Sequence, residues 1–153
     1  MRTIALLLAA AACTAALPAN ADDWRQNRLV GAWSSEGQIG PCNAVPSQRI
    51  FATIAFHKGG TVSEIPRFTP TGIAGQVRTD ALGTWTYNAD KNTWHAVFQF
   101  DWYLNGVYDG YQVVERKIRL RNDQAGGGVV SVRYDASGNP IGRVCGYATS
   151  TRL

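Results

Sequence analysis

The sequence of 153 residues has few charged residues and no cluster of like charges. Only 17% of the residues are charged, and the net charge of +4 is scattered along the chain. Proteins that bind nucleic acids usually carry a basic stripe or patch, so no nucleic-acid partner is expected. No stretch of about eighteen apolar residues occurs either, so no membrane-spanning helix is expected.

The signatures of common catalytic and cofactor sites are missing as well. There is no G-x-S-x-G nucleophile motif and no glycine-rich phosphate loop ahead of a helix. The two histidines, His57 and His95, have no ligand spacing to the cysteines, so no metal site is expected. We therefore predict no catalytic residues and no cofactor, and an enzymatic function is not favoured.

The first 21 residues are typical of a signal peptide. A positively charged start precedes the apolar residues 4–12, and Ala19 and Ala21 match the A-x-A pattern of a signal-peptidase site. A lipoprotein anchored through Cys13 is the alternative, but the large aliphatic residue usual three positions before such a cysteine is missing. We predict cleavage after Ala21, a secreted or periplasmic protein, and one domain over residues 22–153.

Removal of this segment leaves two cysteines, Cys42 and Cys145. An even pair in an exported protein predicts one disulfide, here closing a loop across most of the mature chain. In the chain-entropy model, such a long loop corresponds to about 4–5 kcal/mol of stabilisation.

Alternating hydrophobicity with a period of two predicts an all-β fold with almost no helix. Hydrophobic residues make up 45% of the chain, enough for the core of a single domain. Closing eight antiparallel strands into an up-and-down barrel removes the exposed edges of an open sheet, so a single barrel is favoured. Only residues 22–27 are compatible with a short helical turn. The predicted strands cover residues 28–35, 48–58, 61–65, 82–87, 93–104, 108–121, 128–135 and 141–152.

Two connections are informative. Gly59 and Gly60 predict a two-residue hairpin turn, which pairs Glu64 with Ala55 and directs the Glu64 carboxylate outward. Residues 66–81 form a much longer connection that contains prolines, glycines and apolar side chains. Loops of this length are usually functional or mobile, and both a plain crossover and a lid over the barrel mouth fit the sequence.

Alternation within the strands predicts which side chains enter the barrel. In residues 93–104 the apolar positions from Trp94 to Trp102 share one face, and the polar side chains share the other. In residues 108–121, Glu115 and Lys117 must face outward, which places Arg116 inside. A bulge that turns Arg116 outward is the alternative. Trp33, Val130 and Val132 are also predicted to face inward. The predicted ligand-binding residues are Trp85, Trp94, Phe98, Phe100, Trp102, Gln112, Arg116 and Tyr134.

A barrel of this size either fills with side chains or holds one small ligand. Core packing is the simpler explanation for any single aromatic ring. The combination of flat rings, an amide and a guanidinium is typical of ligand pockets, which are apolar with a few placed polar groups. A buried Arg requires a carboxylate or an anionic ligand, because an unpaired buried charge is very costly.

The stretch around the first strand resembles the lipocalins and other calycins. Gly31 and Trp33 match their G-x-W motif, which follows a short helical turn, and Arg152 stands where these families place an Arg that packs across the Trp. The resemblance implies structural roles for Gly31, Trp33 and Arg152 at the closed end of a barrel. Residues 56–64 also resemble a hairpin of small exported bacterial lipocalin-like proteins.

Three functions are compatible with these features. The first is an exported lipocalin-like protein that binds a small apolar or aromatic ligand, with an anionic form as one option, inside the barrel. The second is a barrel isomerase or cyclase similar to allene-oxide-cyclase-like enzymes, with Arg116, Gln112 and Tyr134 as electrostatic stabilisers. The third is an exported protein-binding barrel, such as an inhibitor of a hydrolase. The sequence leaves the oligomeric state open.

Overall fold

A computed structural model describes residues 24–67 and 75–153. The predicted signal peptide and residues 68–74 of the long connection 66–81 lie outside the described residues. One short helix, α1 (Trp24–Asn27), precedes the strands, in line with the predicted helical turn. The strands are β1 (Gly31–Pro41), β2 (Gln48–Phe56), β3 (Thr61–Pro66), β4 (Gln76–Arg78), β5 (Ala81–Asn88), β6 (Thr93–Leu104), β7 (Val107–Arg121), β8 (Gln124–Tyr134) and β9 (Pro140–Arg152).

Eight of these strands form a closed antiparallel barrel, which confirms the predicted all-β, up-and-down fold. The order around the barrel is β6, β5, β3, β2, β1, β9, β8 and β7, and β7 pairs back onto β6. The short strand β4 lies outside this ring and pairs with the end of β6. No helix in the described part of the chain is long and apolar enough to cross a membrane.

Strand bounds differ from the prediction by three residues or more at β1, β4 and β8. Strand β1 begins at Gly31 rather than at residue 28, and β8 begins at Gln124 rather than at residue 128. Strand β1 continues to Pro41, about six residues beyond its predicted end, because it pairs with β2 on one side and β9 on the other. Strand β4 falls within residues 66–81, which were predicted as a loop. Its three residues carry no readable alternation, so only the pairing with β6 reveals it.

The turn between β2 and β3 has three residues rather than the predicted two. The His57 amide donates to the Thr61 carbonyl (2.9 Å), and the Gly60 amide donates back to the His57 carbonyl (3.2 Å). Gly60 has a φ of 91°, which glycine adopts without strain. A hairpin loop of this length is common with a glycine at its last position.

This extra turn residue makes the prediction for Glu64 wrong. Glu64 pairs with Ile54 instead of Ala55, and a one-residue change of register moves a side chain to the other face of the sheet. The carboxylate of Glu64 therefore lies inside the barrel, where the residue is only 6% exposed.

One end of the barrel is filled by side chains. The Arg152 guanidinium lies 4.2 Å from the centre of the Trp33 ring and donates to the carbonyls of Val30 (2.9 Å) and Arg28 (2.6 Å). The Trp33 indole N–H donates to the Leu29 carbonyl at 2.9 Å. The contact between Trp33 and Arg152 that the resemblance implied is thus present, and it closes this end.

The opposite end carries the disulfide. Cys42 and Cys145 are bonded, as predicted, across a sequence separation of 103 residues. Cys145 pairs with Gly40 in the ladder between β1 and β9, and Cys42 follows directly after β1. The bond therefore joins two strands that are neighbours only because the barrel closes.

Strand β8 faces the other way from the prediction. Val129 and Ser131 are buried, whereas Val130, Val132 and Tyr134 are not. The predictions for these last three residues were wrong because both faces of β8 carry apolar residues, and the interior accepts polar groups at this level.

Candidate ligand-binding cavity

The barrel interior is not completely filled. A cavity of about 490 Å³ extends from the middle of the barrel toward the end that carries the disulfide, where Gln48 and Arg143 are exposed at its mouth. This volume is in the range of small-molecule sites. The wall is largely apolar and includes Ile39, Ile50, Ile54, Phe98, Phe100, Trp102, Val114 and Val129.

Five of the eight predicted ligand-binding residues line this cavity: Phe98, Phe100, Trp102, Gln112 and Arg116. They come from β6 and β7, the two strands in which the alternation is clearest. Their positions follow directly from the period of two.

Trp85 and Trp94 are buried as predicted, but they belong to the core rather than to the cavity wall. The Trp94 indole N–H donates to the Gln26 carbonyl of α1 at 2.9 Å, and that of Trp85 donates to the His57 carbonyl at 3.1 Å. Alternation showed that both rings face inward but not how far along the barrel the filled end reaches.

Tyr134 lies away from the cavity, contrary to its predicted inward position. Its ring stacks on Tyr111 with the centroids 4.7 Å apart and the planes 11° from parallel. The residue at this end of β8 that lines the cavity is Arg133.

Arg116 is the polar group at the deep end of the cavity. The residue is 4% exposed, so the predicted inward orientation is correct. Its Nη1 and Nη2 donate to the hydroxyls of Ser35 and Ser150, each at 3.3 Å, and its Nε has no hydrogen-bond partner. Burial lowers the pKa of Arg116 to about 10, while the charge of Glu64 acts in the opposite direction.

The two serines hold each other in place beneath this guanidinium. The Ser150 hydroxyl donates to the Ser35 hydroxyl at 3.0 Å, and Ser35 donates to the Thr149 carbonyl at 3.5 Å. Two neutral hydroxyls thus take the place of the carboxylate that a buried guanidinium normally requires.

A second chain of hydrogen bonds crosses the wall nearer the mouth. The Trp102 indole donates to the Gln112 amide oxygen (2.9 Å), and the Gln112 amide nitrogen donates to the Ser131 hydroxyl (2.7 Å). Ser131 in turn donates to the Val113 carbonyl at 2.9 Å. Gln112 is therefore held in a defined orientation, with its polar groups already bonded.

The mouth contains two ion-paired arginines that the sequence analysis did not single out. Arg78 of β4 donates to Glu64 at 2.7 Å and lies 3.7 Å from the centre of the Phe100 ring. This ion pair fixes the outside strand β4 over the cavity.

Arg133 is the second arginine at the mouth. It donates to the Asp109 carboxylate at 2.7 Å and lies 4.6 Å from the centre of the Trp102 ring. Burial lowers the pKa of Arg133, and Asp109 partly offsets this effect. The alternation of β8 was the only signal for Arg133, and it was assigned to the wrong face.

The charge of the cavity wall favours anions. Among the described residues, four arginines line it (Arg78, Arg116, Arg133 and Arg143), and Glu64 is the single carboxylate in the wall. In an enclosed apolar space this excess attracts negative charge more strongly than it does in water. Within residues 24–67 and 75–153, no group of three or more His, Cys, Asp or Glu side chains is placed to hold a metal ion.

Comparisons with protein-family models, with curated proteins and with solved structures find no match for this chain.

Proposed function

We propose that this protein binds a small apolar or aromatic molecule with an anionic group inside its barrel. The observation that carries the proposal is the state of Arg116: a buried guanidinium, lining a cavity, with neutral hydroxyls as its hydrogen-bond acceptors and an unused Nε donor.

A bound carboxylate supplies what this guanidinium needs. Arg keeps its charge when it is partly buried, and its planar fork binds a carboxylate through two parallel hydrogen bonds. The anionic group then lies deep in the barrel, and the body of the ligand extends toward the mouth along Phe98, Phe100 and Trp102. Apolar surface buried against these side chains adds affinity.

Tryptophan fluorescence tests this proposal, because Trp102 lines the cavity. Wild type is titrated with fatty, aromatic and terpenoid acids, each paired with the alcohol of the same skeleton. We expect an acid to bind and its alcohol to bind more weakly. Arg116→Met should weaken the acid by about 1.5–3 kcal/mol, the range for a hydrogen bond to a charged group.

The matched control is Arg119→Met, the same change three residues further along β7 on the exposed face. It should leave the affinity unchanged. The proposal is wrong if no acid in the panel binds, or if Arg116→Met binds the acid as tightly as wild type does.

We further propose that the protein is lipocalin-like and exported. The Gly31-x-Trp33 motif after α1 and the packing of Arg152 on Trp33 support the first statement. The disulfide supports the second, since disulfides persist in oxidising compartments. Expression of the full chain with its N-terminal segment should yield an exported protein that begins at Asp22. Intact-mass measurement of the periplasmic and secreted fractions checks this, and an uncleaved chain retained in the cytoplasm contradicts it.

A further inference from the structure

Two unused hydrogen-bond donors point to more than one polar group on the ligand. Among the residues that the structure describes, the buried side-chain polar atoms without a partner are the Nε atoms of Arg116 and Arg133. Both side chains line the same cavity. Buried polar groups are nearly always satisfied, so unsatisfied donors on two side chains of one cavity wall point to two acceptors on what the cavity binds.

The two donors lie at different depths. Arg116 pairs with Val129 across β7 and β8, whereas Arg133 pairs with Gln112. Arg133 is therefore four residues nearer the mouth, about 13 Å along the strands. Apolar side chains of the wall lie between these two levels, including Val114.

The unpaired positive charges of the cavity wall are also separated along the barrel. Glu64 pairs with Arg78, and Asp109 pairs with Arg133, so these two pairs are close to neutral. The positive charges that remain are those of Arg116 at the deep end and Arg143 at the exposed mouth. One net positive charge thus lies at each end of an apolar space.

We infer that the ligand is a dianion: an apolar body, linear or flat, with a carboxylate at each end. One carboxylate binds Arg116, and the other accepts from the Nε of Arg133 under the positive charge of Arg143. This inference rests on the proposed binding function and adds the second anionic group.

Calorimetric titration with matched pairs of acids tests it. The linear pairs are the diacids from pimelic to sebacic acid, each beside the monoacid of equal carbon number, and the flat pair is a naphthalene dicarboxylate beside naphthoate. For the best-fitting skeleton we expect wild type to bind the diacid about tenfold or more tightly than the monoacid. This ratio is measured on wild type alone, so it does not depend on the folding of any variant.

Two variants then assign the second group. In Arg133→Met the preference for the diacid should fall to within about twofold, because the diacid loses more affinity than the monoacid does. Arg119→Met, on the outer face, should keep the wild-type preference. Circular dichroism verifies that each variant is folded.

The outcomes separate this inference from the proposed function. Equal binding of diacid and monoacid by wild type overturns the dianion and leaves the binding of a single anionic group standing. A preference that survives in Arg133→Met overturns the role of Arg133. If neither acid of any pair binds, both the proposed function and the inference are wrong.

Discussion

Replacing Arg116 by Met should make the ligand-free protein more stable. The guanidinium is an uncommon core component, because it is buried with two hydroxyl acceptors and no carboxylate in contact. A group that serves ligand binding can cost stability in the absence of the ligand. The Met side chain retains the apolar stem and removes the charge.

The magnitude follows from two opposing effects. Burial lowers the pKa of Arg116 to about 10. Each unit by which the pKa is lowered corresponds to about 1.4 kcal/mol, so keeping this group charged destabilises the folded state by about 3 kcal/mol. Substitution also removes the hydrogen bonds to Ser35 and Ser150, each long at 3.3 Å and worth about 1 kcal/mol. The serines still bond to each other, so we expect a net gain of about 1 kcal/mol.

Urea denaturation at neutral pH measures this gain. The protein is first unfolded in urea and refolded so that any bound molecule is lost. The free energies of unfolding of wild type and Arg116→Met are then compared, with the requirement that their m-values agree. Arg119→Met is the matched control and should change stability by no more than about 0.5 kcal/mol. If Arg116→Met instead lowers stability by more than about 1 kcal/mol, Arg116 is a structural residue and its assignment to a ligand fails.

Three further predictions concern the closed end, the disulfide and pH. Trp33→Ala should lower the free energy of unfolding by about 3–5 kcal/mol, and Arg152→Ala should lower it by less. The double mutant should lose less than the sum of these two losses. Strictly additive losses in urea titrations would show that the two side chains are not coupled. Replacing Cys42 and Cys145 together by Ser should lower the free energy of unfolding by about 4–5 kcal/mol, and reduced wild type should lose as much; an unchanged value contradicts a stabilising bond. A bound carboxylate raises the pKa of Arg116. The free protein begins to lose the Arg116 proton above about pH 10, so only above this pH does binding require the uptake of a proton. Affinity should therefore be constant between about pH 6 and pH 10, where the carboxyl group of the ligand is ionised, and fall by up to tenfold per pH unit above about 10. An affinity in Arg116→Met that falls in the same way contradicts this cause.

The residues that sequence reasoning placed correctly lie on strands with one polar and one apolar face. Strand β6 is the clearest case. In β7, Glu115 and Lys117 lie on the exposed face, so the alternation places Arg116 between them on the inner face. Closure of the barrel could be predicted because eight antiparallel strands otherwise leave exposed edges. The cysteine pair was predictable from its number and from the signal-like segment ahead of it.

The residues that were missed depend on geometry that a pattern does not carry. Glu64 faces inward because one additional residue in a turn shifts the register. Arg133 faces inward because the largely apolar cavity also accepts a few charged side chains near its mouth, and both faces of β8 carry apolar residues. Arg78 reaches the cavity only because β4 pairs with the end of β6, a tertiary contact between distant segments. Each of these residues contributes charge to the mouth, so the sequence alone predicted the deep end of the site better than its entrance.

Native mass spectrometry of the protein purified from the organism that makes it shows whether the barrel holds an acidic ligand. We expect a complex of the mature chain with one small acidic molecule. Wild type and Arg119→Met should retain this molecule, and Arg116→Met should be recovered without it. Recovery of the same molecule on Arg116→Met, or of wild type with nothing bound after gentle purification, would contradict an anion-binding barrel centred on Arg116.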